Sequence, residues 1–414
     1  MDGKCYGLLG RKLGHSWSVP IHQALGCPDY RLIELEPDAL EAFLRRTDIG
    51  GLNVTIPYKR DVMPYCDEID AAARAIGSVN TIVRRPDGKL CAYNTDAAGF
   101  CYMARRAGIS FAGRKAVILG SGGASLTAQA CARQLGARQV VVISRSGPDN
   151  YETLSRHADA DIVVNTTPVG MYPGNGAAPV DLIAFPACRG VLDVIYNPRR
   201  TALLQQAEAL GIPCSDGLPM LVAQAKAAEE HFFGTAIDDG ENERILAQLR
   251  QETENIVLIG MPGCGKTTVG QALAQKTGRE AIDLDKRIAA RAGCSIPEIF
   301  ARGGEAEFRA LEREETAKAG ALSGKILLTG GGVVKTPENY PSLHQNSRIY
   351  HLLRPIEVLP TDGRPLSQGA DLTAMWAERE PLYRRFRDAA IENTGTVEDT
   401  ADAIWRDFCA HSGD

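Results

Sequence analysis

Residues 256–268 read Ile-Val-Leu-Ile-Gly-Met-Pro-Gly-Cys-Gly-Lys-Thr-Thr, an apolar run that ends in Gly-x-x-x-x-Gly-Lys-Thr. Backbone amides of such a loop cradle phosphate oxygens, the lysine reaches the outer phosphates, and the hydroxyl beside it ligates Mg2+. The expected nucleotide-binding set is Gly260, Gly263, Cys264, Gly265, Lys266, Thr267 and Thr268. Far upstream, Val117-Ile118-Leu119 runs into Gly120-Ser121-Gly122-Gly123-Ala124-Ser125, a glycine turn of another kind. Such glycines permit a tight turn and let the backbone approach a pyrophosphate at a helix N-terminus, although glycine turns after strands are common. The next apolar run ends in Ser144-Arg145-Ser146, where a chain that holds NAD would carry an acidic residue for the ribose 2′-hydroxyl. An arginine flanked by hydroxyls suits a 2′-phosphate and favours NADP(H); a solvent-facing loop arginine is the alternative. Asp283 and Asp285 form a third chemical pair, able to serve a metal and a nucleophile separately, with a charged helix N-terminus as the alternative for Asp285. Two nucleotide-binding turns of two chemical types point to two enzymes joined end to end.

The elements that must position these groups follow from hydrophobic patterning. Short apolar runs at 116–119, 140–143, 162–165 and 191–194 read as strands, and segments such as 124–136 and 200–211 suit helices. That alternation is the pattern of parallel α/β architecture. A chain of 414 residues is expected to hold two or three domains. The stretch 234–255 is polar and charged, yet Ile245, Leu246 and Leu249 recur at helical spacing, so part of it is expected to be a docked helix, with a domain boundary near 252. Hydrophobic content of 44% with 23% charged residues is globular. The net charge of −5 argues against a nucleic-acid binder, which usually shows a basic face. The 11 cysteines are scattered without metal-ligand spacing and read as reduced thiols. No apolar leader or membrane-length run is visible, so a soluble, cytoplasmic protein without membrane partners is expected.

Three polar clusters precede the first glycine turn: Gly14-His15-Ser16-Trp17-Ser18, Gly51-Leu52-Asn53-Val54-Thr55-Ile56-Pro57-Tyr58-Lys59 and Asn94-Thr95-Asp96. With Gly77-Ser78-Val79-Asn80-Thr81, Asp193-Val194-Ile195-Tyr196-Asn197-Pro198 and Gly217-Leu218-Pro219-Met220-Leu221-Val222-Ala223-Gln224, they closely resemble the shikimate dehydrogenase family over nearly all of residues 1–252. The resemblance implies that Ser16 and Ser18 bind the substrate carboxylate and that Thr55, Asn80, Tyr196 and Gln224 hold the ring hydroxyls and carboxylate region. It implies a catalytic pair of Lys59 and Asp96, with Asp96 also accepting from a substrate hydroxyl, and NADP(H) held by Gly120, Gly122, Gly123, Ala124, Ser144, Arg145 and Gly217. An ammonium beside a carboxylate can donate a proton to a developing alkoxide and stabilise its charge. The chain departs from the family at Asp96-Ala97-Ala98-Gly99, at Leu126 and at Pro219, whose missing amide hydrogen is expected to alter packing near the nicotinamide.

Beyond the phosphate loop, Asp283-Leu284-Asp285, Gly304-Glu305-Ala306-Glu307-Phe308-Arg309-Ala310-Leu311-Glu312, Leu328-Thr329-Gly330-Gly331-Gly332, Arg364-Pro365-Leu366 and Arg379-Glu380-Pro381-Leu382-Tyr383 form an ordered set similar to shikimate kinases across residues 254–408. That resemblance implies ATP as phosphoryl donor, Mg2+ held by Thr267 and Asp283, and Asp285 binding the ring hydroxyls and orienting the attacking one. Arg309 and Arg379 would clamp a carboxylate, Gly331 and Gly332 would offer amides, and Arg364 would come from a lid to neutralise the transferred phosphoryl group. Between Arg354 and Arg364 the chain is shorter than the family's usual lid.

Together the two resemblances imply an α/β protein: a substrate-binding lobe (1–100 and 217–252), a Rossmann NADP-binding lobe (101–216), and a three-layer P-loop kinase domain with a five-stranded parallel sheet (253–414). They imply reduction of 3-dehydroshikimate by NADPH, then phosphorylation of shikimate by MgATP, two steps of aromatic amino acid biosynthesis. The alternatives are a dehydrogenase with a kinase-like module that only binds and regulates, or an NAD-dependent quinate or shikimate dehydrogenase.

Overall fold

The apolar runs become the strands of three sheets in the computed structural model, which describes residues 3–14, 16–359 and 371–413. The first sheet contains β1 (Cys5–Gly10), β2 (Arg31–Glu34), β3 (Ile49–Val54), β4 (Glu68–Ile69), β5 (Thr81–Arg84) and β6 (Leu90–Tyr93), in the order β2-β1-β3-β5-β6-β4. β1 and β3 run parallel and are buried along their whole length, whereas β5 turns antiparallel to β3. Helices α1 (Ser18–Ala24), α2 (Leu40–Leu44) and α3 (Ala71–Ile76) accompany this sheet, and α3 is closed by Asp70 as N-cap and Gly77 in the left-handed region as C-cap.

Helix α4 (Asp96–Arg106) leads into a second sheet of β7 (Lys115–Leu119), β8 (Gln139–Ile143), β9 (Ile162–Asn165), β10 (Gly190–Asp193) and β11 (Cys214–Ser215). It is parallel throughout, in the order β11-β10-β9-β7-β8. Helices α5 (Gly123–Gln134) and α6 (Ala202–Ala209) belong to this layer, and α7 (Leu218–Phe233) returns to pack on α4 and α1. Along β7 the pleat sends Ala116 and Ile118 into a core with Phe100, Met103 and Ala128, and Val117 and Leu119 into another with Phe185, Leu203 and Leu204. Both faces are covered, which is why β7 reads as a continuous apolar run. The expected strands of this region are found within a residue of their ends.

After α8 (Gly240–Thr253), the third sheet contains β12 (Asn255–Ile259), β13 (Ala281–Asp283), β14 (Ile326–Leu328), β15 (Ser347–Leu353) and β16 (Ala389–Glu392), all parallel in the order β13-β14-β12-β15-β16. Its helices are α9 (Lys266–Thr277), α10 (Leu284–Ala292), α11 (Ile296–Gly320), α12 (Asn339–His344), α13 (Leu372–Phe386) and α14 (Val397–Ala410). The chain is thus α/β with a five-stranded parallel sheet in its C-terminal half. α8 is the docked helix expected from Ile245, Leu246 and Leu249, which are 1%, 0% and 3% exposed.

The chain divides into two units, residues 1–171 with 177–196 and 203–246, and residues 247–414 with the short segments 172–176 and 197–202. Within the second unit Glu254 is buried, and Arg199 and Arg200 reach its carboxylate at 2.7 and 3.5 Å. Burial pushes that carboxyl up, but the guanidinium groups outweigh it and hold it below its ordinary value. All 11 cysteines are free, and no helix among the described residues is long and apolar enough to cross a membrane.

Candidate active sites

In the first unit, loops and helix starts converge on a cavity of about 280 Å³. Ser16 precedes α1 and Ser18 opens it; their hydroxyls lie 3.1 Å apart, and the Ser18 amide donates to Ser16 Oγ. Thr55 and Lys59 follow β3, Asn80 precedes β5, Asp96 is the first residue of α4, Tyr196 follows β10, and Gln224 lies on α7; all line the cavity. Lys59 Nζ donates to Asp96 Oδ2 at 2.5 Å, with the two side chains 21% and 12% exposed. The other Asp96 oxygen accepts from Asn80 Nδ2 at 2.9 Å, and Asn80 is itself fixed by the Thr95 amide, which donates to its Oδ1 at 2.6 Å. The carboxylate is therefore held from two sides, and the ammonium is aimed by it. Gln224 is held through its amide to the Leu221 carbonyl at 2.9 Å. Tyr196 packs on Trp17, ring centroids 5.0 Å apart.

Two positions in these motifs have local explanations. Pro219 sits in the first turn of α7, where an amide hydrogen has no helical partner to lose, and the Leu218 amide is capped by Asp216 at 2.7 Å. Pro219 therefore leaves the helix start intact. Gly99 is required where α4 crosses α7: a Cβ there would lie 2.4 Å from the Met220 carbonyl oxygen. Asn53, Val194, Met220 and Leu221, to which the family resemblance assigns no role, also line the cavity. Asn53 was findable, because it stands two residues before Thr55 and the pleat puts both on one side.

The Gly120 turn lies beside this cavity. Gly120 has φ 106°, and a Cβ there would approach Thr166 Oγ1 to 2.8 Å, whereas one on Gly122 would meet nothing within 4 Å. At Gly123 the nearest atom to an added Cβ would be Lys59 Cδ, 3.8 Å away, and Ala124 itself lines the cavity. Ser125, at the third fingerprint position, is fully buried and accepts from Gln129 Nε2 at 3.1 Å. Ser144 and Arg145 follow β8, and Arg145 is exposed and in no ion pair among the described residues. Open amides at a helix start with an uncommitted guanidinium on the neighbouring strand fit a dinucleotide carrying a 2′-phosphate.

In the second unit the phosphate loop joins β12 to α9, with Gly260, Gly263 and Gly265 in the left-handed region at φ 144°, 87° and 102°. Lys266 Nζ donates to the carbonyls of Gly260 and Met261 at 2.8 and 3.0 Å, so the loop's own backbone holds the ammonium over the phosphate position. Cys264 is 1% exposed, while Thr267 and Thr268 face solvent. Asp283 ends β13 and caps α10 by accepting from the Lys286 amide at 3.2 Å. Asp285 sits in the first turn of α10, and a Cβ on Gly330 would come within 2.7 Å of its Oδ1. Burial and then Asp283 push the Asp285 carboxyl up, against the pull of Lys266 and Arg309. Arg309 is clamped by Glu312 at 2.6 Å and Glu305 at 3.1 Å, and an added Cβ on Gly332 would lie 2.5 Å from its Nη2. Arg379 Nη1 donates to the Gly331 carbonyl at 3.3 Å, as does the Tyr383 hydroxyl at 2.5 Å. Asp285, both arginines and the glycine strip are thus gathered together. Arg364 lies outside the described residues. Glu305, Glu312 and Tyr383 stood in the quoted motifs without a role; spacing of four and three residues from Arg309 marks the two glutamates as its partners on a helix. A cavity of about 440 Å³ adjoins Gly265 and Thr268, with Arg354, Asn393 and Thr394 on its wall. An exposed threonine hydroxyl and the Asp283 carboxylate are the hard oxygen donors that Mg2+ takes.

The family described as shikimate dehydrogenase substrate binding domain matches residues 8–82, and shikimate kinase matches residues 262–408. Shikimate dehydrogenase (NADP(+)) of Symbiobacterium thermophilum is 35% identical over 264 residues, covering 56% of this chain and 90% of that protein. The chain belongs to the shikimate dehydrogenase family. The enzyme of the same description from Halothermothrix orenii is 38% identical over 265 residues, covering 55% of this chain and 90% of its own. Among solved structures, a chorismate mutase/shikimate 5-dehydrogenase fusion protein from Clostridium acetobutylicum superposes with a TM-score of 0.58 at 34% identity, covering 61% of this chain and 98% of that one. The Thermus thermophilus shikimate 5-dehydrogenase in complex with NADP(H) and shikimate gives 0.53 at 30% identity, covering 58% and 97%. Joined to this shikimate dehydrogenase portion is a shikimate kinase segment, so the chain is a fusion of the two.

Proposed function

We propose that this chain reduces 3-dehydroshikimate to shikimate with NADPH in its first unit and phosphorylates shikimate at a ring hydroxyl with MgATP in its second. The observation that carries the first half is the Lys59–Asp96 pair, 2.5 Å apart in a cavity whose edge is the Gly123–Ala124 helix start. Bound at that turn, NADPH supplies the hydride. The Ser16 and Ser18 hydroxyls receive the substrate carboxylate, and Thr55, Asn80, Tyr196 and Gln224 hold the ring. The Lys59 ammonium gives its proton to the carbonyl oxygen as that oxygen gains charge, and Asp96 keeps the ammonium in line while accepting from a neighbouring substrate hydroxyl. Burial of the pair strengthens these interactions because little water screens them. Gly120, Gly122, Gly123, Ala124, Ser144, Arg145 and Gly217 form the cofactor's seat. Arg145, where NAD-binding chains carry an acidic residue, supports NADP(H) over NAD(H).

For the second half, Lys266, Thr267 and the loop amides take the phosphates of ATP, and Thr267 with Asp283 holds Mg2+. Arg309, Arg379 and the amides of Gly331 and Gly332 take the acid. Asp285 accepts from the attacking hydroxyl, and its raised carboxyl affinity for protons suits a group that must receive one. Arg364 completes the set by neutralising the phosphoryl group.

The test is direct. Full-length protein given shikimate and MgATP without nicotinamide is followed by phosphorus NMR, and NADPH oxidation is followed separately with 3-dehydroshikimate. Shikimate 3-phosphate that appears with ADP and disappears in Lys266→Ala supports the kinase. ADP with free phosphate, or no turnover beside an active dehydrogenase, favours a kinase-like module that only binds.

A further inference from the structure

A run of buried polar side chains reaches the first cavity from the interior, and the mechanism above leaves it without work. Glu229 on α7 is 1% exposed, and one of its oxygens meets Nδ1 of His22 on α1, which is fully buried. Among the described residues the second Glu229 oxygen has no hydrogen-bond partner, and Asn53 lies near enough to the His22 imidazole to act on it. The imidazole lies flat on Tyr30, ring centroids 3.8 Å apart and planes 5° from parallel. The Tyr30 hydroxyl donates to Asn53 Oδ1 at 2.8 Å, and Asn53 Nδ2 donates to Thr81 Oγ1 at 3.3 Å. Thr81 Oγ1 is 2.9 Å from the hydroxyl of Thr95, which also takes a hydrogen bond from Asn80 at 3.1 Å, and Asn80 holds Asp96. The run therefore extends from a carboxylate deep in the core to the cavity wall at Asn53 and on to the lysine–aspartate pair.

Stability alone does not account for Glu229. Apolar residues of similar volume often hold a buried helix contact as well as an ionisable pair does, or better. The location supplies a reason. His22 is four residues beyond Ser18 and so on the same face of α1, and α7 carries Met220, Leu221 and Gln224 to the cavity. The Glu229–His22 link ties together two helices that both line the cavity, and through Tyr30 it orients Asn53 on the cavity wall.

We propose that Glu229, His22 and Tyr30 are positioning residues of the dehydrogenase half: they touch no substrate, but they set Asn53 and the Ser18-bearing helix for the hydroxylated acid and so determine its affinity. This rests on the dehydrogenase reading above. The experiment is steady-state oxidation of shikimate by NADP+ with the full chain and three variants: Tyr30→Phe, Glu229→Gln and the double change His22→Leu/Glu229→Leu. Losing one neutral hydrogen bond corresponds to roughly a threefold to tenfold change. Tyr30→Phe and the double variant are expected to raise the KM for shikimate by that factor, with the KM for NADP+ unchanged and kcat within about twofold. Glu229→Gln keeps a partner for His22 and is expected to stay near the wild-type KM. The double variant is expected to unfold no lower than wild type. An unchanged shikimate KM in Tyr30→Phe and in the double variant overturns the proposal. So does a rise in both KM values that follows a fall in thermal midpoint, which marks a structural role only. If the double variant does not fold, Tyr30→Phe decides. A wild-type protein that does not oxidise shikimate refutes the dehydrogenase reading itself, whereas an active wild type with unaffected variants refutes only the relay.

Discussion

Lys59 and Asp96 illustrate how little of a catalytic group's behaviour resides in its own side chain. The ammonium is aimed by a carboxylate that Asn80 holds, and Asn80 is oriented by the Thr95 amide. Lys59→Ala removes the group that gives the proton in reduction and takes it in oxidation, and kcat for shikimate oxidation is expected to fall by about a hundredfold to ten-thousandfold, with a much smaller change in KM, measured by NADPH formation. Arg145 acts through charge on one phosphate. Arg145→Ala is expected to raise the KM for NADP+ by about tenfold or more while that for NAD+ stays put, because a hydrogen bond to a charged group is worth more than a neutral one. Asp285 makes a pH-dependent case. Its folded pKa lies above the ordinary 3.8, so its contribution to stability is full below that value and is lost as pH rises through the folded pKa. Above that folded pKa the ionised side chain therefore opposes folding. Asp285→Asn is expected to abolish phosphoryl transfer and raise the thermal midpoint at pH 7, with the gain shrinking as pH is lowered toward the folded pKa. A lower midpoint at pH 7 would contradict this sign.

At the scale of elements, both sites draw many of their groups from the ends of strands and the starts of helices. α4 opens with Asp96, α5 follows the glycine turn, α9 follows the phosphate loop, and α10 opens beside Asp283 and Asp285. In the two parallel sheets these ends fall together at one edge, where the starts of α5, α9 and α10 offer open amides. The crossing of α4 and α7 is a close one, because Gly99 meets the Met220 carbonyl there. Gly99→Ala forces the two helices apart. It is expected to cost about 1–3 kcal/mol of stability and to raise the shikimate KM, since Asp96 and Gln224 ride on the two helices. Thermal unfolding alongside shikimate titration checks both halves of that expectation.

At the scale of the whole molecule, two units each carry a separate set of reactive groups. Their chemistries differ in what they require. Chelation of divalent cations with EDTA is expected to abolish ADP formation from shikimate and ATP and to leave NADP+ reduction within about twofold of its starting rate, because only phosphoryl transfer needs charge neutralisation by a metal. Lys266→Ala is expected to do the same with the metal present. Loss of NADP+ reduction under EDTA would show that the dehydrogenase half also depends on a cation.

The sequence by itself determined the elements and most of the side chains proposed to do the chemistry. Resemblance to the shikimate dehydrogenase family pointed to Lys59, Asp96, Asn80 and Gln224, which line one cavity, and the alternation of apolar runs with helical patterns is a local property that neighbours in the chain dictate. The glycines at 120, 260, 263 and 265 were legible for the same reason, since each is required by a backbone conformation of its own turn. What only the tertiary structure decided is which distant groups meet. Glu229 and His22 are separated by 207 positions and pair because α1 and α7 pack together; nothing near either residue signals it. Gly99 resembles an ordinary helix glycine until α7 crosses it. That Pro219 costs α7 no hydrogen bond is likewise decided by where the helix begins, one residue before it, in the turn where a missing amide hydrogen has no partner to lose. Local sterics and patterning act over a few residues and can be read along the chain, whereas burial and pairing depend on packing between elements far apart in it.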